Sequence, residues 1–199
     1  VKVTAVIPVG PGHKQYAEDA AGSVYRAWAN SKGPFEELNV VIIDDTLGKR
    51  GRSASRNHGI SRNPSDWYFL LDADDEMLSD AFQNVAIESA ATFGAVCLDG
   101  VIAKENIYPL TREMLFAHGA KGTLSMGCFV RGDVARATPF DETLETGEDF
   151  DFYMRLPDFV KIDRPLVSIG YRKPSAGGPK GYKDIKWREI CWSVIDRYR

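Results

Sequence analysis

Five consecutive residues, Asp72-Ala73-Asp74-Asp75-Glu76, carry four carboxyl groups. Ionised together, such groups repel one another, and the repulsion costs stability unless a positive charge offsets it. A hard divalent cation with oxygen ligands, Mg2+ or Mn2+, is the natural compensation. Held by such carboxylates, it could bridge the chain to the oxygens of a diphosphate. It would also neutralise the charge that builds on a departing nucleoside diphosphate. The same residues also read as a solvated acidic turn before a helix capped by Ser79.

A second acidic group is Gly147-Glu148-Asp149-Phe150-Asp151, followed by Arg155. Carboxylates at a helix start are stabilised by the helix dipole and often only cap it. One of them could instead take a proton from an acceptor hydroxyl. Asp151 and Arg155 stand four apart, the spacing of a helical ion pair. The third group is basic, Lys49-Arg50-Gly51-Arg52-Ser53-Ala54-Ser55-Arg56-Asn57. Arginines beside a glycine can clamp phosphate oxygens; without that role the stretch is a solvated loop and helix start. Neither GxGxxG nor GxxxxGK[ST] occurs, so the usual dinucleotide and P-loop fingerprints are absent. His13, His58 and His118 have no mutual ligand spacing.

Short apolar strands must position these groups. Val3–Val9, Leu38–Ile43, Trp67–Leu71 and Ala95–Leu98 are the candidates, and Asp44-Asp45 and Asp72 close the second and third. Ala17, Ala21, Val24 and Trp28 recur at helical spacing after the first. Phe82, Val85 and Ile87 belong to the helix after Ser79. Strands alternating with helices predict an α/β fold whose sheet is mostly parallel and covered on both faces. In such sheets ligands bind beyond the strands' C-terminal ends, so the acids at 44–45 and 72–75 should share one crevice. Further on, residues 119–147 read as loops and irregular strands, 148–156 as a helix, Val160–Tyr171 as one or two strands and 173–181 as a flexible loop. Residues 183–198 predict a closing helix with Trp187, Ile190, Cys191, Val194 and Tyr198 on one stripe.

The 199 residues are 44% hydrophobic, enough for one sizeable core, with no repeat and no long linker. One domain over 1–199 is expected: a nucleotide-binding half over about 1–100, an acceptor-side half over 101–172 and a C-terminal loop and helix over 173–199. A net charge of −3 with interspersed signs argues against a nucleic-acid partner. No apolar run approaches the ~20 residues that span a bilayer, and VKVTAVIPVG lacks the pattern of a signal peptide. Cys97, Cys128 and Cys191 are odd in number and form no CxxC pair, so a disulfide framework is not expected. A cytoplasmic location follows as the expectation.

Taken in order, five segments resemble family 2 glycosyltransferases of the GT-A fold, over roughly residues 3–172. VTAVIPV resembles the first strand, VVIIDDT the strand ending in paired acids, and GRSASRNHGI the glycine-to-Ala-Arg-Asn segment with Ser55 where alanine is usual. FLLDADDEML resembles the DxD metal motif, and MGCFVRGDVARATPFDETLETGEDFDFYMRL the acceptor-side stretch that ends in a catalytic Glu-Asp pair. The resemblance implies a Rossmann-like GT-A domain and an inverting transferase that moves a sugar from a nucleoside-diphosphate donor, by default a UDP-sugar, to an acceptor hydroxyl. It implies Asp149 as base, with Glu148 orienting the acceptor. Pro8, through its backbone, and Asp45 with Asp44 would meet the nucleoside, and Arg52 or Arg56 the diphosphate. Asp72 and Asp74 would hold Mn2+ or Mg2+, with Asp75 as an alternative ligand. The late histidine that many members add to the metal site has no counterpart in IGYRKPSAGG. Two other classes compete: a sugar nucleotidyltransferase, for which Gly10-Pro11-Gly12-His13-Lys14 is a partial match, and a non-catalytic nucleotide-sugar or glycan-binding module.

Overall fold

The computed structural model describes residues 1–85, 95–97, 113, 126–161, 164–168 and 185–198. In chain order the elements are β1 (Lys2–Val9), α1 (Lys14–Asn30), β2 (Glu37–Asp44), α2 (Arg52–Arg62), β3 (Trp67–Leu70), β4 (Glu76–Met77) and α3 (Ala81–Asn84). There follow β5 (Ala95–Cys97), β6 (Cys128–Arg131), α4 (Gly132–Ala137), α5 (Glu148–Arg155), β7 (Val160–Lys161), β8 (Val167–Ser168) and α6 (Ile185–Asp196).

Among the described residues six strands form one sheet in the order β2-β1-β3-β6-β5-β7, and β4 pairs with β8 in a second, two-stranded sheet. β1 runs parallel to both β2 and β3, and β5 parallel to β7. β6 runs antiparallel to β3 and β5, the exception in a mostly parallel sheet. The predicted fourth strand therefore exists as β5, but β6 stands between it and β3.

β1 is buried on both faces from Val3 to Val9, which is why its sequence reads as a continuous apolar run. On one face Val3, Ala5, Ile7 and Val9 pack with Ala17, Ala20, Ala21, Val24 and Ala27 of α1. Those alanines combine high helix propensity with little bulk, so α1 can lie close to the sheet. On the other face Val6 joins Tyr68, Leu70, Ile60 of α2 and the aromatic residues of α5. Pro8 fits a central strand because hydrogen bonding alternates along it. The Val6 carbonyl accepts Leu71 N–H, whereas the Val9 carbonyl accepts Asp45 N–H. The missing N–H of Pro8 therefore faces the side on which β3 has already ended.

Some expected boundaries shift. α3 spans only four residues, with Asp80 rather than Ser79 at its capping position. The Ser79 carbonyl instead accepts the Asn30 side chain at 3.0 Å, and Ile87 lies outside the described residues. The stretch read as irregular after Gly127 forms β6 and the short α4. In α6, Val194 and Ile195 carry the buried face. The side chains of Trp187 and Cys191, and all of 173–181, lie outside the described residues. No described helix is long and apolar enough to cross a membrane.

Gly59 sets how closely α2 approaches β1, since a Cβ there would lie 2.4 Å from Val6 Cγ1. Helix propensity alone would favour Gly59→Ala by up to about 1 kcal/mol, whereas overpacking costs about 1–3 kcal/mol. Urea denaturation should show Gly59→Ala destabilised by roughly 1–2 kcal/mol, the overpacking term outweighing propensity.

Candidate active site

Because β1, β2 and β3 are parallel, their C-terminal ends lie on one edge of the sheet. Asp44-Asp45 and Asp72–Asp75 thus reach the same edge from strands on either side of β1. Two strand spacings place them about 10 Å apart.

The loop after β2 is built around Asp45. Its Oδ1 accepts Arg50 N–H at 2.9 Å and its Oδ2 accepts Gly51 N–H at 2.7 Å. Burial would raise its pKa, but backbone N–H donors from Arg50, Gly51 and Lys49 outweigh that and hold it below the usual carboxylate range. Gly51 starts α2 with φ 84°, a backbone that side-chain-bearing residues rarely adopt. Asp44 is exposed, and its Oδ1 accepts Thr46 N–H at 2.9 Å. That bond is the main cause lowering its pKa. Asp44, Asp45, Thr46, Leu47, Lys49 and Arg50 line a cleft of about 590 Å³. Pro8 lies buried in β1, opposite Ile43.

At the end of β3 the chain turns, with Asp75 N–H donating to the Asp72 carbonyl at 3.1 Å, and enters β4. Asp72 and Asp74 remain half-buried while Asp75 is buried. Desolvation, then the charge of Asp72, raises the pKa of Asp74; His13 and Arg52 oppose this. A cation would relieve that repulsion. Among the described residues, no group of three or more His, Cys, Asp and Glu side chains is arranged to hold a metal ion. Two carboxylates nevertheless suit Mg2+ or Mn2+, because such ions are commonly held by one or two carboxylates with phosphate oxygens and water completing the shell. The residues present therefore fit the metal that the motif implies.

α5 begins after Gly147, whose φ of 76° turns the chain into the helix. Glu148 is 3% exposed, and Arg56, on α2, is 2% exposed. The Arg56 guanidinium donates to Asp72 Oδ1 at 2.6 Å and to Glu148 Oε1 at 3.1 Å. Among the described residues its Nε has no hydrogen-bond partner. Burial would lower the pKa of Arg56, but the two carboxylates outweigh it and push it above its usual value. Arg52, one turn earlier and half-exposed, reaches the same Glu148 oxygen at 3.4 Å. One buried cation thus ties the end of β3 to the start of α5.

Asp149 lies beside this bridge. Loss of solvation, then the charge of Glu148, raises its pKa from 3.8 to about 6, with Phe150 N–H and Arg56 opposing the rise. Asp151 is buried and pairs with Arg155 at 2.7 Å, as their spacing predicts. It also accepts Tyr198 O–H at 2.6 Å, which docks the end of α6 on α5. Sequence reasoning singled out neither Phe140 nor Asn57 as a functional residue. Phe140 lies 5.2 Å from the Arg56 guanidinium and stacks on Phe152 at 4.3 Å. Its backbone is held by the Asn57 side chain. The adjacency of Asn57 to Arg56 was the available signal.

The raised pKa of Asp149 has a definite sign. The folded chain holds this proton more tightly than the unfolded chain, so its contribution to stability is full below about pH 3.8 and falls as pH rises through about 6. Asp149→Asn lacks that penalty. Urea denaturation across this range should show the parent losing stability relative to Asp149→Asn as pH increases, the two differing least in acid.

The sequence model of the family described as glycosyl transferase family 2 matches residues 18–138, more than half of the chain. The succinoglycan biosynthesis protein ExoU of Rhizobium meliloti (strain 1021) is 28% identical over 159 residues, covering 69% of this chain and 45% of ExoU. The chain thus spans less than half the length of that relative. Residues 1–349 of S. aureus TarS in complex with UDP-GlcNAc superpose with a TM-score of 0.65 at 14% identity, over 98% of this chain and 65% of that one. Glucosyl-3-phosphoglycerate synthase from Mycobacterium tuberculosis, in complex with Mn2+, UDP and glucosyl-3-phosphoglycerate, gives a TM-score of 0.63 at 14% identity, over 98% and 79%. Likeness at such low identity speaks for the fold, and the fold is GT-A. With more than half its length matched in sequence and its sheet shared with these structures, the chain belongs to glycosyl transferase family 2.

Proposed function

We propose that this chain, acting as one domain, transfers a sugar from a UDP-sugar to an acceptor hydroxyl with inversion, assisted by a divalent cation. The observation that carries the reading is the buried Arg56 bridge, which brings a carboxyl with a pKa of about 6 beside the Asp72–Asp74 turn. A general base works best when its pKa lies near the working pH, and Asp149 meets that condition. The UDP-sugar, UDP and Mn2+ bound by the similar structures support the choice of donor and ion.

In this reading Asp149 takes the proton from the acceptor hydroxyl as that oxygen attacks the anomeric carbon. Glu148 is enclosed by Arg52 and Arg56, so it orients the acceptor indirectly, by holding Asp149 and the two arginines in place. Arg56 is committed to two carboxylates, which leaves half-exposed Arg52, with its longer contact, to face the diphosphate. Asp44 turns toward the nucleoside, Asp45 keeps the loop in shape beneath it, and Pro8 supports the pocket from β1. Asp72 and Asp74 would hold the cation, which when bound neutralises charge on the leaving diphosphate.

Calorimetry with UDP and Mn2+ should show binding at least tenfold weaker after chelation or in Asp74→Ala. Equal affinity in all three conditions would remove the metal from the reading. Asp149→Asn should bind UDP nearly as the parent does, yet turn over UDP-sugar about 10²–10⁴-fold more slowly, the usual contribution of a general base. Donor hydrolysis serves as the assay in the absence of an acceptor. Release of pyrophosphate instead of UDP would identify a nucleotidyltransferase. Donor binding without turnover across a broad acceptor panel would identify a binding module.

A further inference from the structure

The side chain of Asn57 meets both hydrogen-bonding groups of one residue's backbone. Its Oδ1 accepts Phe140 N–H at 2.8 Å, and its Nδ2 donates to the Phe140 carbonyl at 3.0 Å. The same Nδ2 donates to Glu142 Oε1 at 2.8 Å. Among neutral side chains only Asn and Gln combine an amide donor with a carbonyl acceptor, and Gln is one methylene longer. Phe140, 2% exposed, is thereby fixed to α2 although it lies 83 residues away in sequence. Its ring stacks on Phe152 at 4.3 Å with the planes 11° apart. Phe152 is one turn beyond Glu148 on α5. A chain of contacts therefore runs from Asn57 through Phe140 and Phe152 to the helix that carries Asp149.

We propose that Asn57 is a positioning residue for the transfer step: it sets where α5, and with it Asp149, stands relative to the Asp72–Asp74 turn. The proposal rests on the reading of Asp149 as the base. Asn57 acts through Phe140 and Phe152, with its hydrogen bonds spent on residues 140 and 142. Losing the amide removes the hydrogen bonds that fix residues 140 and 142 to α2, leaving the Arg56 contact with the Phe140 ring and the arginine pairs with Glu148 in place, and lets α5 shift. An error of about 1 Å in a reacting group costs roughly 10²-fold in rate, whereas a donor held elsewhere in the crevice does not register it.

Asn57→Ala removes every bond of the amide. Asn57→Asp keeps the acceptor for Phe140 N–H but sets a carboxylate against the Phe140 carbonyl and Glu142. In UDP-sugar hydrolysis with Mn2+, both variants should lose roughly 10–100-fold in kcat with donor KM within about twofold. Carboxyl-detected NMR should show the Asp149 midpoint displaced from its parental value. An unchanged kcat overturns the proposal, as does a rise in KM that accounts for the loss. If Asn57→Ala unfolds, Asn57→Asp carries the test; unfolding of both assigns Asn57 to stability alone and overturns it. If the parent turns over no UDP-sugar, the functional reading fails separately. The NMR midpoint then decides the position of α5, and a midpoint identical to the parent's overturns the proposal.

Discussion

The candidate site depends on one buried cation. Arg56 sits between Asp72 and Glu148 with almost no access to water. Burying a guanidinium costs several kcal/mol, and its partners must repay that with close geometry. Here the two carboxylates come from different regions of the chain, the end of β3 and the start of α5. The electrostatic requirement of one residue on α2 thus forces two distant acidic segments together. Lysine would not substitute, because a point charge on a flexible stem lacks the fork that reaches two carboxylates at once.

Asp149 takes its character from the same arrangement. Desolvation of this half-buried carboxyl, then the charge of Glu148, raises its pKa to about 6, and Phe150 N–H and Arg56 limit the rise. Asp45 shows the opposite outcome: backbone N–H donors fill its oxygens and keep it ionised. The two carboxylates differ because loop N–H donors outweigh desolvation at Asp45, whereas desolvation, then the like charge of Glu148, prevails at Asp149.

Much of the architecture was legible in the sequence. β1 and β3 announce themselves as apolar runs because strands covered on both faces must be apolar throughout, whereas β2, just as apolar in sequence, is a half-buried edge strand with Ile42 43% exposed. α1 shows its alanine stripe, and the pairing of Asp151 with Arg155 follows from helical spacing. The antiparallel insertion of β6 was not legible, since Cys128-Phe129-Val130 is apolar in either direction and nothing local states which neighbour it takes. The true start of α3 was missed because Ser79 and Asp80 are both good caps, and the Ser79 carbonyl is claimed by Asn30 from another helix.

Residue types and their order gave the acidic turn, the Glu-Asp helix start and the basic segment, because hydrophobic period and charge clustering are local properties. Which arginine is buried and which is half-exposed was left open by the sequence. Arg52 and Arg56 stand four apart on one helix, and only the packing of α2 against the sheet, with Glu148 and Asp72 brought to it from elsewhere, makes them unequal. The link from Asn57 to Phe140 likewise spans 83 positions with no pattern to mark it. Hydrogen bonds of that kind depend on where two backbones come to rest, which the tertiary structure alone decides.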